Sequence, residues 1–416
     1  LNKPSVTKKI LRYLLYILFT IIIGVNLFII LTGRYYLYSG IAKTYLLGKT
    51  GPTIYDLDVF PVNTIKKSKT PYHFVVNINP KVKLNKSDLS YHEKFDSKAF
   101  LVFQGDTLVY EKYWDDHSMN QVSNSFSAAK TVIGLLVGIA IEEGKITSVD
   151  DYAGKYIPEF NKSGRAQITI RHLLTMSAGF DWVESGKNPL SEAAEGYYGS
   201  DLYGLVTRLR VIEKPGVNFN YQSGNSQILG FIIERATGKS IDQYTEEKLW
   251  KPLGAGSTAF WSLDKINGDE KAFCCMYATA RDYALIGQLI LNRGQWNGQQ
   301  IVPKWYMNQM VETPNMKTKE NVPNMRYGWH IWVYKNGGNP VYYCRGLMGQ
   351  YMIAIPHKNR VIVRLGTKRD AHYAIPENKM NDAAYRSANA EKYGHTNDLY
   401  RYLSMSDHIV SQMDMK

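Results

Sequence analysis

Residues Asn124–Lys145 read NSFSAAKTVIGLLVGIAIEEGK, and the role of one lysine in that stretch decides the fold. From Ala128 to Ile141 nearly every residue is apolar or small, so the helix it predicts is greasy on every face. Such a helix is buried inside a domain or crosses a membrane. Enclosing Lys130 there costs several kcal/mol unless the site uses it. Ser127 and Lys130 are three residues apart, which puts their side chains one turn apart on the same face. Ser127 would stand at the helix N-terminus, where free N–H groups and the dipole favour developing negative charge. Desolvation favours the neutral amine, which can take the serine proton. A plain N-cap accounts for Ser127 and leaves Lys130 unexplained. The same S-x-x-K spacing recurs at Ser5–Lys8 and Ser262–Lys265, but the first falls in a basic N-terminal tail and the second in a polar loop signal.

Outward from this helix, composition sets bounds. The chain has 416 residues, 44% of them hydrophobic and 13% aromatic, enough to bury a sizeable core and exclude global disorder. The net charge of +13 is spread along the whole chain, and no nucleic-acid module accompanies it, so no nucleic-acid partner is expected. A basic surface facing an anionic envelope fits that charge. The three cysteines, Cys274, Cys275 and Cys344, lack zinc-ligand spacing, and no metal is expected. Adjacent cysteines rarely pair, so Cys274 and Cys275 read as small buried hydrophobes, although an oxidising compartment would allow a long-range bond to Cys344.

YLLYILFTIIIGVNLFIILT, Tyr13–Thr32, is uncharged and about the length of a bilayer core. Lys3, Lys8, Lys9 and Arg12 precede it, so the tail should stay cytoplasmic, with Arg34, Lys43 and Lys49 blunting the asymmetry. A cleaved signal peptide is the competing reading, but the run is long and no A-x-A-like site follows it. The organisation expected is a cytoplasmic tail over residues 1–12, an anchor over 13–33, a connector over 34–95 and a catalytic-size domain over 96–416 on the extracytoplasmic, periplasmic side.

That domain opens with SKAFLVFQGDTLVYEKYW, two short apolar runs around Gly105-Asp106, a hairpin signal. NSQILGFIIERATGK and ARDYALIGQLILNRG read as amphipathic helices ending at Gly238 and Gly294. Strand signals return late in GWHIWVY, PVYYCRGLMGQYMIAIP and RVIVRLG, and a final helix is expected over roughly 395–413. Strands at both sequence ends with helices between them predict an α/β (α+β) fold: an antiparallel sheet built from the two ends, flanked by helices, with a helical insertion over about 146–270.

With Ser127 and Lys130 in place, the chain resembles the serine β-lactamase and penicillin-binding superfamily, for which S-x-x-K is the nucleophile motif. The AmpC-type branch carries a second element, Tyr-x-Asn or Tyr-x-Ser leading into a helix. FNYQSGNSQILG supplies Tyr221 and Ser223, while Tyr198-Gly199-Ser200 and Tyr385-Arg386-Ser387 match only the spacing. The resemblance implies a proton-relay role for Tyr221 beside Ser127 and Lys130, with Ser223 positioning substrate or relay. The third element, Lys-Thr-Gly, has no convincing copy. In its place YYCRGLMGQYMIAIP, Tyr342–Pro356, resembles the branch of 6-aminohexanoate-dimer hydrolase and β-lactamase-like esterases. There the N–H matching Leu347 joins that of Ser127 as an oxyanion hole, with glycines at 346 and 349 allowing close approach. Arg345, by its charge, is a candidate carboxylate contact.

The resemblance spans roughly residues 96–412 and implies a serine hydrolase that acts through an acyl-enzyme on a small ester, amide or peptide, with no cofactor. Arg345-Gly346 in place of Lys-Thr-Gly, and serine in place of asparagine at 223, make an esterase, oligomer amidase or peptidase a better expectation than an efficient β-lactamase. Asp181, Trp182 and Glu184 are candidates to line the pocket. His172 and the other histidines show no Ser-His-Asp constellation. A penicillin-binding or sensor-type protein, acylated without efficient turnover, is the alternative.

Overall fold

The computed structural model describes residues 6–414; Lys3 and Ser5 of the basic tail lie outside them. The helices used below are α1 (Val6–Thr32), α2 (Tyr36–Lys43), α3 (Lys86–Lys94), α4 (Ala129–Glu142), α5 (Ser223–Thr237), α6 (Ala280–Leu291) and α7 (Asn397–Asp414). Over Lys9–Thr32, α1 is long and apolar enough to cross a bilayer or to serve as a signal sequence, and nearly all its side chains are exposed. α2 packs on the domain: the Arg34 guanidinium donates to Leu190 O at 2.9 Å and the Tyr36 hydroxyl to Pro189 O at 3.0 Å.

The strands are β1 (Val62–Ile65), β2 (Val75–Val76), β3 (Ser97–Gln104), β4 (Thr107–Tyr113), β5 (Ser123–Asn124), β6 (Ala259–Ser262), β7 (Met276–Ala278), β8 (Trp332–Tyr334), β9 (Val341–Gly346), β10 (Gln350–Ile355) and β11 (Arg360–Gly366). Seven of them form one sheet in the order β8-β9-β10-β11-β3-β4-β2. It joins the two sequence ends by pairing β11 with β3, and every neighbour is antiparallel except β2 with β4. Gly105, with a φ of 61°, makes the β3–β4 turn that its sequence announced. A smaller sheet, β1-β6-β7-β5, ties the segment before residue 96 to the middle of the chain.

The large sheet is buried on both faces, which explains why β3 and β11 are nearly continuous hydrophobic runs. Ala99, Leu101, Phe103, Val361, Val363 and Leu365 face the core shared with α4 and α6. Phe100, Val102 and Ile362 face a second core that α7 closes with Leu399, Tyr402, Met405 and Ile409 at helical spacing. α4 lies between the sheet and α5, and all its residues from Ala129 to Ala140 are buried. Its all-round apolarity is therefore that of a central core helix.

Candidate active site

The turn that presents Ser127 is fixed by its neighbours. The Ser125 N–H donates to Met276 O of β7 at 2.8 Å, and the Phe126 N–H donates to Asn124 Oδ1 at 2.8 Å. Between them Phe126 takes a left-handed backbone with a φ of 46°, rare for a bulky residue and sustained only by surroundings that over-determine it. Ser127 follows in a single 3₁₀ turn, Phe126–Ala128, and α4 starts at Ala129. Ser127 is half-buried and Lys130 only 1% exposed.

Lys130 Nζ donates to Ser127 Oγ at 2.8 Å and to the Phe273 carbonyl at 2.9 Å. It stands 5.1 Å from the centroid of the Tyr221 ring. Among the described residues it has no carboxylate partner, and this buried amine is directed at the serine. The same spacing at Ser262–Lys265 begins on the last residue of β6, outside any helix.

Tyr221 ends the loop ahead of α5, with its ring 5.5 Å from Trp332 and edge-on to Tyr327 at 5.7 Å. Ser223 is the first residue of α5, and its N–H and Oγ both donate to Glu184, at 2.7 Å each. Trp182 Nε1–H donates to the same carboxylate at 2.7 Å. Glu184 thus caps α5 from a distant loop and takes up the Ser223 hydroxyl as a donor, leaving that oxygen only as an acceptor for anything else. Asp181 instead pairs with Arg210 at 2.7 Å on the surface.

The third wall is the β9–β10 hairpin. β9 ends at Gly346, paired with Gln350, and Leu347-Met348-Gly349 form the turn, with a φ of 62° at Met348 and 82° at Gly349. Leu347 has therefore left the ladder and is 43% exposed. Among the described residues, the N–H groups of Ser127 and Leu347 donate to no backbone carbonyl outside their own turns. Two contacts missed in the sequence hold this hairpin: Gln350 Nε2 donates to Leu347 O at 3.0 Å, and the buried Arg364 donates to Met348 O and Gly349 O at 2.9 Å each. An arginine inside the apolar run RVIVRLG is the signal in the sequence for the second.

Arg345 lies over the Trp332 ring at 4.0 Å. It lines a cavity of ≈ 330 Å³ with Glu184, Tyr221, Arg326, Trp332 and Tyr373. A larger recess of ≈ 670 Å³, bounded by Tyr91, Asp370 and Arg401, contains none of the candidate residues.

The cysteine expectation is corrected. Cys274 and Cys275 form a disulfide with each other, in a turn where Cys275 has a left-handed φ of 70°. Cys344 is free and buried, its thiol pushed up to about 12 by burial. Among the described residues no histidine bonds Ser127: His330 meets Ser226 and Leu174, and His172 caps its own short helix.

A two-ended antiparallel sheet, with a buried helix that carries a serine–lysine pair at its start, defines the β-lactamase/transpeptidase-like class. Comparison with known proteins agrees: the Beta-lactamase family profile matches residues 89–386, and the chain belongs to that family as one of its serine hydrolases. It is 26% identical over 295 residues to the 6-aminohexanoate-dimer hydrolase of Paenarthrobacter ureafaciens, covering 67% of this chain and 74% of that protein. Among solved structures, a Bacillus anthracis protein provisionally named a 6-aminohexanoate-dimer hydrolase superposes with a TM-score of 0.70 at 20% identity, covering 87% of this chain and 93% of the other. A family VIII carboxylesterase superposes with a TM-score of 0.56 at 18% identity, covering 76% and 99%.

Proposed function

We propose that this chain is a membrane-anchored hydrolase that cleaves an ester or amide bond through an acyl-enzyme on Ser127. Lys130 takes the serine proton as Ser127 Oγ attacks the carbonyl, and Tyr221 relays it to the leaving group. The N–H groups of Ser127 and Leu347 hold the oxyanion, and Ser223, fixed by Glu184, positions the relay. Water then releases the acyl group. α1 anchors the chain, with residues 1–12 cytoplasmic and the domain over 96–416 on the periplasmic side. The substrate class is a small ester, a short oligomer amide or a peptide, which agrees with relatives named for amide and ester hydrolysis.

The observation that carries this reading is the 2.8 Å contact between Lys130 Nζ and Ser127 Oγ inside an apolar core. The test is hydrolysis of a p-nitrophenyl ester series by the detergent-solubilised full chain, with Ser127→Ala and a chromogenic cephalosporin alongside. Ester turnover lost in Ser127→Ala, with a flat cephalosporin trace, is the expected result. Turnover that survives Ser127→Ala overturns the assignment.

A further inference from the structure

Beyond α1 the chain does not run free to the domain. Gly33, with a φ of 68°, turns it directly into α2. Tyr36, Gly40 and, at the end of the helix, Thr44 recur at helical spacing and face the domain: Tyr36 and Thr44 are buried, and Gly40 lies against the Tyr198 ring. The opposite side carries Tyr35, Tyr38 and Ile41 and continues into Tyr45, Leu46 and Leu47, all between 40% and 76% exposed. No charge interrupts this face. The nearby cations are taken up by the protein: Arg34 by Leu190 O and the Tyr36 hydroxyl, at 2.9 and 3.0 Å, Lys43 over the Phe60 ring at 4.5 Å, and Lys49 by Asp56 at 2.7 Å.

α1 is tied to the same unit. Among its described residues only Asn26 and Ile29, one turn apart on one face, are not exposed, and the Tyr38 hydroxyl donates to Asn26 Oδ1 at 2.7 Å. Asn26 precedes Thr32, the end of α1, by about 9 Å of helix axis. Tyr38 is therefore drawn back alongside the last turns of the span. A helix that crosses a bilayer leaves it at that level, through the headgroup layer where tyrosines collect because the ring is apolar and its hydroxyl polar. A contiguous exposed apolar face marks a contact surface.

We infer that α2 and the Tyr45–Leu47 turn form a collar lying in the headgroup layer of the bilayer that α1 crosses, its apolar face sunk about 5–10 Å. The partner is the lipid surface itself, met by apolar and aromatic side chains and not by charge. The collar rests on the reading of α1 as an anchor and adds a second contact, which holds the domain against the bilayer instead of on a tether. Arg34 and Tyr36 bind the carbonyls of Leu190 and Pro189, at the end of a loop closed by the Val183 N–H donating to Glu192 at 2.9 Å. Glu184 belongs to that loop, so the collar and the Ser223 wall of the site share one segment.

The test places an environment-sensitive fluorophore on the full chain in phosphatidylcholine nanodiscs, at Leu46→Cys, at Ile22→Cys in the middle of α1, and at Ser404→Cys on the exposed face of α7 across the large sheet. The label at 46 should emit to the blue, be quenched more by lipid carrying a nitroxide near the headgroup than near the chain end, and be shielded from aqueous iodide. The label at 22 should prefer the chain-end nitroxide, and that at 404 should respond to iodide alone. In Ile41→Asp with Tyr45→Asp, the label at 46 should return to water; shielding that persists there assigns insertion to the fluorophore and overturns the collar. A label at 46 that behaves like the one at 404 overturns the collar and leaves the anchor standing, whereas no lipid quenching at 22 overturns both. Shielding from iodide without lipid quenching at 46 means that a second copy covers this face. Lipid quenching that appears only with added phosphatidylglycerol assigns the contact to charge, against the inference. None of these readings uses turnover, so the acyl-enzyme assignment stands or falls separately.

Discussion

A Cβ placed on Gly346 would stand 2.0 Å from the carbonyl oxygen of Ser125, so β9 and the turn that presents Ser127 meet backbone to backbone. The φ of Gly346 is −114°, open to any residue, and the requirement for glycine is steric. Gly346→Ala must push the strand away from the turn, which separates the N–H groups of Leu347 and Ser127. We expect kcat to fall by about 10²- to 10³-fold, the scale of losing an oxyanion donor. Gly51→Ala, where nothing lies within 4 Å, should keep wild-type kcat in the same steady-state ester assay. Equal kcat in the two variants would refute this account of the wall.

Lys130 separates activity from stability. Among the described residues its enclosed amine has Ser127 Oγ and Phe273 O as its acceptors, and replacing a buried polar group by an apolar side chain of similar shape is often neutral or stabilising. Lys130→Met should lose about 10³-fold or more in kcat, since it removes the proposed general base, while melting near or above the wild-type temperature. A matching loss of stability would mean that the lysine serves the fold more than the reaction.

The fold and the serine–lysine pair at the start of α4 were legible because both rest on local pattern. The two-ended sheet follows from strand signals flanking Gly105 and after Trp329, and α4 follows from one apolar run with a single lysine. What remained hidden depends on long-range or special backbone geometry. The left-handed Phe126 has no composition signature, since any bulky residue reads as core. Glu184 reaches Ser223 across 39 positions of sequence, and Arg364 reaches the β9–β10 turn from the neighbouring strand. Cys274 and Cys275 pair in a turn that is left-handed at Cys275, which adjacency alone does not reveal.

Glu184 is expected to govern the placement of Tyr221 through α5. Its carboxylate accepts the Ser223 N–H, the Ser223 hydroxyl and the Trp182 Nε1–H. Truncation leaves buried donors unmet, at about 1–3 kcal/mol each. Glu184→Ala should lower the melting temperature and reduce kcat/KM on every ester. Glu184→Gln keeps an acceptor oxygen and should recover part of both. Thermal melting with steady-state kinetics on the two variants checks this, and identical losses would deny the carboxylate a specific role.

His330 sets an acid limit on the site. It accepts from Ser226 at Nε2, 2.8 Å away, and its Nδ1–H faces Leu174 O at 2.9 Å. Its backbone carbonyl accepts from Thr131 of α4 at 2.7 Å, so one residue joins α4 through its main chain to α5 through its neutral ring. Burial pushes it down to about 3, against support from the Leu174 bond, and the charge of Lys130 adds to the depression. A histidine with a lowered folded pKa binds its proton more readily when unfolded. Its contribution is therefore complete above its ordinary value near 6.5 and is lost as pH falls toward 3, at up to about 1.4 kcal/mol per pH unit. Burial raises Glu234 and Glu270, and these carboxyls favour the folded state toward acid, so the total slope mixes both signs. His92 and His395, also pushed down to about 3 by burial, add to the histidine side. The difference between wild type and His330→Gln isolates one group. The variant should be less stable at pH 7 and lose less stability between pH 6.5 and 4, measured by thermal melting across that range. Parallel curves for the two proteins would show that His330 does not titrate on unfolding.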